Sequence, residues 1–293
     1  MKKIKKFSTI GLLTLGALLV ISPFFFMIIT SFKSFNELAS GNKLWPHHWT
    51  TDAYKVLFAI AKSDGNPIWR YFLNSLWTTL CLALVQMFFS AMGGFALYYY
   101  QTWVGKIVMW IFTALMAIPF ESLLLGRFIF NSNLGWQNTP FALIWPFVGN
   151  VFTIYQFRST FYRIGVNTKK AALADGMNSN EFFWTIALPA ILPSIITSFI
   201  LCFITSWNST LWPVLILQPN SKWATIPVLL YKINTIDPIT LVNSYGKVAH
   251  IDKVVSTVNL KMATTTLSMA PIFVLFIGLN RQLMKGILKE WKK

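Results

Sequence analysis

Six long apolar runs constrain this chain more than any other feature of its sequence. A helix needs about 20 consecutive apolar residues to cross the hydrocarbon layer of a bilayer, and each run approaches or exceeds that length. The runs are Ile10–Phe32, Phe72–Tyr98, Ile107–Gly126, Phe141–Phe157, Ile186–Leu217 and Met262–Met284. They do not have the alternation of apolar and polar residues that is typical of barrel strands. The sequence therefore predicts an all-α membrane protein with six transmembrane helices.

The charge balance supports the same class of protein. Charged residues make up only 12% of the 293 residues, whereas they make up about a quarter of a typical soluble chain. The net charge is +16, which in a soluble chain would indicate nucleic-acid binding. Here most Lys and Arg residues lie between or beside the apolar runs, where membrane proteins commonly carry them. We therefore expect contact with membrane lipid and no nucleic-acid partner.

The distribution of positive charge also predicts the orientation of the chain. Four lysines precede the first apolar run, which is too long for a signal peptide. Six spans return both termini to one side of the membrane, and that side holds more than half of the 25 Lys and Arg residues. The positive-inside rule then predicts that both termini are cytoplasmic.

The apolar runs also predict how the chain is organised. We expect an amino-terminal tail with the first transmembrane helix over residues 1–33, an extracytoplasmic segment over 34–70, a core of five helices over 71–284 and a basic cytoplasmic tail over 285–293. A second outer segment lies at Gln218–Lys261. Neither outer segment has the pattern of an independent catalytic domain, and we interpret both as caps at the outer mouth.

One polar segment, Lys169–Pro193, is too polar to span and has a helix–turn–helix pattern. Small side chains at Ala171, Ala172 and Ala174 favour a helix with a low-relief surface that another protein could grip. Gly176 is suited to the left-handed residue that ends a helix, and Asn178 with Glu181 predicts a capping box for the next helix. A plain linker is the alternative, since capping boxes are common.

The segment resembles the EAA loop of binding-protein-dependent ABC permeases, in which an EAA and glycine pattern is followed by I-x-L-P. The matching residues are Ala171, Ala172, Asp175, Gly176, Ile186, Leu188 and Pro189. Further segments are similar to the maltose-type, MalG-like family of carbohydrate-uptake permeases, among them Ser31–Lys33, Pro46–Tyr54, Asn74–Ser75, Leu134–Pro146 and Ser206–Asn208. Two residues depart from the family pattern: Lys170 stands where a glutamate is usual, and Ser209 stands where an acidic residue is common.

The resemblance implies a type I ABC importer permease fold, with the EAA loop over 169–193 docking on an ATPase. It also implies two ABC ATPase subunits, a second homologous permease subunit and an extracytoplasmic solute-binding protein, all at a bacterial plasma (inner) membrane. The implied solute is a sugar or an oligosaccharide. The alternative within the same role is a polyol, a glycerol phosphate or another small polar solute.

The chain carries no motif that would bind ATP or a metal. It has no GxxxxGK[ST] phosphate loop, no HExxH and no CxxC, and both cysteines, Cys81 and Cys202, lie inside apolar runs. We therefore predict no catalytic residue, no metal site and no cofactor in this chain, with ATP and Mg²⁺ bound by the partner ATPase. A membrane enzyme would need a catalytic constellation that the sequence lacks.

Polar side chains within apolar runs are costly, and they tend to face a cavity or a neighbouring helix. We take five residues as candidates for the solute pathway, with Gln86 as a further polar residue of the same kind: Glu121, Asn150, Gln156, Trp207 and Asn208. Hydrogen bonds between helices are the alternative role for these side chains. An ion-coupled secondary transporter is a rival reading, but only Glu121 could serve as its mid-membrane ionisable group, and no repeated halves are evident.

Overall fold

The structure is a computed structural model that describes residues 2–39, 45–218, 220–249 and 256–291. Within these residues the regular structure consists of fifteen α-helices with short 3-10 and π-helical turns, and the one β-type pairing is an isolated bridge between Lys33 and Trp49. The helices are α1 Lys2–Ser31, α2 Phe35–Ala39, α3 Asp52–Ser63, α4 Ile68–Tyr99, α5 Trp103–Met116, α6 Leu124–Asn133, α7 Pro140–Ile144, α8 Val151–Phe161, α9 Val166–Ala174, α10 Ser179–Phe182, α11 Leu188–Trp207, α12 Leu211–Ile216, α13 Ile226–Thr235, α14 Pro238–Ala249 and α15 Val258–Trp291. The all-helical prediction is confirmed for the described residues. Residues 40–44, 219, 250–255 and 292–293, which belong to the two predicted outer segments and the predicted tail, lie outside this description.

Three helical stretches in the described part of the chain are long and apolar enough to cross a membrane: Thr9–Ser31, Ile68–Tyr99 and Ser179–Trp207. The first two match the first and second predicted spans closely, and the third overlaps the fifth predicted span, Ile186–Leu217, but begins and ends earlier. Two further helices, Trp103–Met116 and Glu121–Asn133, pass the same test only as a pair, and they meet at an angle of 101°. The structure therefore supplies three such helices, or four if the bent pair forms one span, and the count of six stays a prediction.

The third predicted span, Ile107–Gly126, is not one continuous helix. α5 ends at Met116, Pro119 stands before a short 3-10 turn over Phe120–Leu123, and α6 then begins at Leu124. A proline has no backbone N–H to donate and disfavours the helical conformation of the residue before it. Pro119 therefore accounts for the break that periodicity alone did not predict.

The fourth and fifth predicted spans are interrupted as well. Phe141–Phe157 is divided into α7, a 3-10 turn and α8, with the Asn150 side chain accepting a hydrogen bond of 3.0 Å from the Thr153 N–H at the start of α8. The fifth run, Ile186–Leu217, is divided where α11 ends at Trp207 and α12 begins at Leu211. The sixth, Met262–Met284, lies inside α15.

The described residues form two compact units, and the first comprises residues 1–71 and 226–274. In this unit α3 buries one apolar face whose residues stand at helical spacing, namely Ala53, Val56, Leu57, Ile60 and Ala61. α14 packs against α3. The Asn259 side chain donates a hydrogen bond of 3.0 Å to the Lys33 carbonyl, which ties the start of α15 to the residues that follow α1.

The second unit comprises residues 72–225 and 275–293. Its core contains a group of rings packed around Phe95, which we call the aromatic cluster: Phe95, Tyr98, Phe161, Phe182 and Phe183. The centroids of Phe95 and Phe183 are 4.8 Å apart, and those of Phe95 and Phe161 are 5.6 Å apart. The aromatic cluster joins the end of α4, the end of α8 and the segment that leads into α11.

A close approach of two helices in the same unit requires glycine. A Cβ added at Gly94 in α4 would lie 2.9 Å from the Arg158 backbone nitrogen and 3.0 Å from the Ile154 carbonyl oxygen, both in α8. Such distances are too short for a real contact with backbone atoms. At the neighbouring Gly93 an added Cβ would lie 3.6 Å or more from the Ile154 side chain, which is an ordinary contact.

Candidate functional site

The predicted helix–turn–helix segment is formed by α9, α10 and the start of α11. α9 ends in a Schellman motif: the Gly176 N–H donates to the Leu173 carbonyl at 3.1 Å, and the Met177 N–H donates to the Ala172 carbonyl at 3.0 Å. Gly176 has φ +76°, so the left-handed residue predicted there is present. This motif ends α9 within one turn and turns the chain toward α10.

The predicted capping box is also present. The Glu181 N–H donates to Asn178 Oδ1 at 2.9 Å, and the Asn178 N–H donates to Glu181 Oε2 at 3.0 Å. These reciprocal bonds satisfy backbone donors at the start of α10. The local geometry inferred from the sequence is therefore confirmed, while a docking function for the segment stays a proposal.

Ala172 differs from its expected place. It is buried, and its side chain lies in the hydrophobic core together with the aromatic cluster, so it does not contribute to the exposed surface of α9. Lys170, Ala171, Ala174 and Asp175 are exposed as expected. The difference follows from helical geometry, since a nine-residue helix lying on a core must turn one of its small residues inward.

The exposed face of α9 carries two larger apolar side chains that the alanine pattern did not indicate. Val166 and Leu173 are 66% and 52% exposed, and Lys170 is also exposed. At 100° per residue these three side chains lie within one sector of the helix, whereas Ala172 points to the other side. α9 thus presents an apolar patch with one positive charge.

Lys169 ties α9 to the end of α4. Its Nζ donates a hydrogen bond of 2.5 Å to the carbonyl of Tyr99, the last residue of α4, and lies 4.1 Å from the centroid of the Tyr99 ring. A cation stabilises the carboxyl end of a helix and is attracted to an aromatic face. Sequence analysis did not single out Lys169, because nothing in the sequence indicates that the end of α4 lies beside it.

The remaining residues of the predicted loop lie where α11 begins. A π-helical turn, Phe183–Ala187, precedes Leu188, which packs partly buried against the core, and Pro189, which is exposed. A single π turn widens the helix by one residue, and such turns occur often at functional sites.

A second candidate site is a cavity of about 580 Å³ within the second unit. Three of the predicted pathway residues line it: Asn150, Gln156 and Trp207. Glu121 and Asn208 are not among its lining residues; Glu121 is exposed in the 3-10 turn before α6, and Asn208 follows α11. The cavity therefore brings together three of the five predicted residues.

Polar side chains on the cavity wall also connect the helices that form it. Gln86 in α4 donates a hydrogen bond of 3.4 Å to Thr153 in α8 and accepts one of 3.3 Å from the Cys202 thiol in α11. Gln156 accepts a hydrogen bond of 3.2 Å from Ser198. The two glutamines thus have the helix-connecting role that is the alternative to solute contact, and they face the cavity as well.

Sequence analysis did not single out most of the cavity lining, and two of those residues make specific contacts. Trp212 is buried and donates a hydrogen bond of 2.8 Å from Nε1 to the Ala142 carbonyl. Arg127 lies in α6 with its guanidinium carbon 5.0 Å from the centroid of the Phe147 ring. An arginine in an apolar stretch was a detectable signal, but the predicted third span ended at Gly126 and so placed this residue outside it. The described residues contain no group of His, Cys, Asp or Glu side chains that could hold a metal.

Comparison with known proteins adds a family match. The family model described as "Binding-protein-dependent transport system inner membrane component" matches residues 86–289, which include α9, α10 and α11. The chain is 31% identical to the probable ABC transporter permease protein MG189 of Mycoplasma genitalium, over 92% of this chain and 82% of that one. It is 28% identical to the arabinooligosaccharides transport system permease protein AraQ of Halalkalibacterium halodurans, over 94% of both chains.

A solved structure has the same fold. A chain from the crystal structure of a bacterial ABC transporter involved in the import of the acidic polysaccharide alginate superimposes with a TM-score of 0.75, at 20% identity, over 95% of this chain and 96% of that chain. The helical arrangement described above is therefore one that an importer also uses.

Proposed function

Because the chain belongs to the family of binding-protein-dependent transport system inner membrane components, we propose that it is one permease subunit of an ATP-driven importer that takes up a sugar or an oligosaccharide. Family membership makes the chain a transport component in a membrane and not an enzyme. The further parts of the proposal are the ATPase contact, the remaining subunits, the orientation and the solute.

The observation that carries the proposal is the surface of α9. Ala172 and Lys169 hold the helix on its own subunit, and the exposed sector that turns away from Ala172 carries Val166, Leu173 and Lys170. An exposed apolar patch on a short, well-capped helix is suited to insertion into a groove of another protein. We assign α9 as the EAA docking helix and expect a carboxylate on the ATPase near Lys170.

The partners follow from what the chain lacks. It has no phosphate loop, so ATP and Mg²⁺ belong to the partner ATPase. The proposed complex contains two ABC ATPase subunits, a second homologous permease subunit and an extracytoplasmic binding protein. Six transmembrane helices with both termini in the cytoplasm would put α9 on the ATPase side, and the basic residues near the termini support that orientation.

The proposed coupling is mechanical. ATP-driven closure of the two ATPases would move the docked α9, and Lys169 with the aromatic cluster would pass that movement to α4, α8 and α11, which also form the cavity. The contact of Lys169 with Tyr99 and the ring contacts of the aromatic cluster together connect α9 with these three helices. The proposal for the solute is supported by the relative AraQ, whose name gives arabinooligosaccharides as its cargo.

Co-purification of the ATPase with the assembled transporter tests the docking role. Leu173→Glu would put a charge in the groove contact and should lower co-purification of the ATPase at least about tenfold, a loss that is ordinary for an apolar anchor at an interface. Ile239→Glu, at a 74% exposed position of α14 in the first unit, is the matched control and should leave co-purification unchanged. Equal recovery of ATPase with both variants would show that α9 is only a linker.

A charge reversal tests the sign of the contact. Lys170→Glu should weaken assembly, whereas Lys222→Glu, at an exposed position near the end of the second unit, should not. Restoration of the Lys170→Glu complex by reversing one carboxylate of the ATPase would identify the partner residue.

The solute is tested by adding purified binding protein loaded with arabinooligosaccharides, glycerol phosphate or a polyol, and measuring ATPase stimulation of the reconstituted complex.

A further inference from the structure

We propose that the cavity of the second unit binds solutes carrying an anionic group, a carboxylate or a phosphate, and that Arg127 recognises this group. The inference rests on the proposed function, because it names the chemical class of the solute that the importer carries. It concerns a residue that the family resemblance and the sequence patterns did not single out.

The charge of the cavity wall is the first observation. Among the described residues that line the cavity, Arg127 is the one charged side chain, and no Asp or Glu belongs to the lining. The wall therefore has a net positive charge. A wall of this sign attracts an anion and disfavours a cation, and the effect is stronger in a membrane protein than in water because the surrounding dielectric constant is low.

The contact of Arg127 with Phe147 is the second observation. The guanidinium carbon lies 5.0 Å from the ring centroid, and both residues line the cavity. The ring attracts the cation through its quadrupole and so favours this position of the guanidinium on the cavity wall. Arginine is also the side chain whose planar group of donors matches a carboxylate or a phosphate.

The third observation is the free-energy cost of having Arg127 in an apolar helix. α6 is part of the bent apolar pair, where an arginine is expensive and usually marks a pathway or a ligand contact. The rest of the wall is uncharged, and it includes the hydroxyl and amide groups of Thr205, Ser206 and Asn150 as well as Trp212. Such a wall suits a hydroxyl-rich solute with one acidic group, which describes a sugar acid or a sugar or polyol phosphate.

The experiment measures binding to the assembled transporter in lipid nanodiscs without its binding protein, so that only the membrane cavity discriminates. The probes are two matched pairs: digalacturonate with its dimethyl ester, and glycerol 3-phosphate with glycerol. In at least one pair the anionic member should bind about 10 to 100 times more tightly than the neutral member, the range expected for a hydrogen bond to a charged group. The pair that discriminates identifies the anion as a carboxylate or a phosphate.

Variants then test the role of Arg127. Arg127→Gln should abolish the preference for the anion while changing the affinity for the neutral member less than about threefold, and Arg127→Lys should retain part of the preference. Lys222→Gln removes an equal charge outside the cavity and should change nothing. Equal binding of both members of each pair, or a preference that survives Arg127→Gln, would overturn the inference. If the preference is absent while the ATPase still co-purifies with the parent transporter, this inference fails and the proposed function stands. Co-purification of the ATPase with Leu173→Glu tests the proposed function separately, because that measurement does not depend on the solute.

Discussion

Lys232 in α13 places its Nζ 2.6 Å from a carboxylate oxygen of Asp64, the residue that follows α3, and thereby links two parts of the first unit that lie 168 residues apart. The Asp64 side chain is only 5% exposed and that of Lys232 is 34% exposed. Tyr245 in α14 donates a second hydrogen bond of 3.2 Å to the other oxygen of Asp64. One buried carboxylate thus connects α3, α13 and α14.

Removing the lysine should destabilise the first unit, because it leaves a buried carboxylate without its cation. We expect Lys232→Met to lower the free energy of unfolding by about 2–4 kcal/mol. This loss is at the lower end for a broken buried ion pair, because Lys232 is partly exposed. Thermal unfolding of the purified transporter in detergent measures the change. The exposed pair Lys55 and Asp52, with side chains 73% and 50% exposed, supplies the control, and Lys55→Met should stay within about 0.5 kcal/mol of the parent. Equal effects of the two variants would contradict the importance of burial.

The pH dependence of the same pair has a definite sign. Burial lowers the pKa of Lys232, but the hydrogen bonds to Asp64 and Tyr245 raise it by more, so the pKa lies above its ordinary value. A group with a raised pKa in the folded state contributes its stability fully below the unfolded value of about 10.4 and loses it as the pH rises through the folded value. The stability difference between the parent and Lys232→Met should therefore be constant from about pH 7 to pH 9 and fall above about pH 10.5. A difference that disappears near neutral pH would exclude this origin.

Gly94 should be far less tolerant of substitution than its neighbour. Gly94→Ala would bring a methyl group within 3.1 Å of three α8 atoms, two of them in the backbone, so α4 and α8 must separate. We expect a loss of about 1–3 kcal/mol, the usual cost of overpacking, together with a lower yield of folded transporter. Gly93→Ala meets only the Ile154 side chain at 3.6 Å and should be close to neutral. Fluorescence-detected size exclusion and thermal unfolding compare the two variants.

The turn at Gly176 provides a test of backbone conformation. Gly176→Val must place a β-branched residue at φ +76°, which costs about 1–2 kcal/mol. This strain should change the angle between α9 and α10. Gly176→Asn should retain transport, because asparagine tolerates the left-handed region. Solute uptake per ATP hydrolysed is the measurement. If both variants transport like the parent, the conformation of this turn does not matter for coupling.

Lys169 should matter for coupling more than for assembly. Lys169→Met removes the hydrogen bond to the Tyr99 carbonyl and the contact with its ring, so α9 loses its attachment to α4. We expect ATP hydrolysis to continue while solute uptake per ATP hydrolysed falls at least about threefold. A fall of this size corresponds to the loss of an interaction free energy of about 1 kcal/mol. Lys169→Arg keeps the charge and should retain most of the coupling. An unchanged ratio of uptake to hydrolysis in Lys169→Met would refute this route between the helices.

The sequence predicted local features well where neighbouring residues determine them. The Gly176 turn and the box of Asn178 with Glu181 depend on residues within one or two turns of helix, and both are present. The burial of Ala172 and the contact of Lys169 with Tyr99 depend on residues 70 or more positions away or on the packing of several helices, and hydropathy gives no information about them.

The continuity of the apolar runs was predicted less well for a related reason. A run such as Ile107–Gly126 has the hydropathy of a single span, yet the backbone effect of Pro119 divides it. For the same reason Arg127 was placed beyond a span end, although it lies on the second helix of the bent pair and lines the cavity. Hydropathy predicts which residues lie in the membrane region, but the covalent geometry of proline decides where a helix bends.

The π-helical turn Phe183–Ala187 also determines which way α9 faces. A π turn holds one residue more than the corresponding α turn, and one residue corresponds to a rotation of about 100° in an α-helix. Deleting a single residue between Phe183 and Ala187 would let the helix continue in regular α register from α10 into α11. The apolar patch of Val166 and Leu173 would then rotate by more than a quarter turn about the axis of α11. The direction of the docking surface is thus encoded by the length of the chain at this turn, independently of the residues on the surface itself.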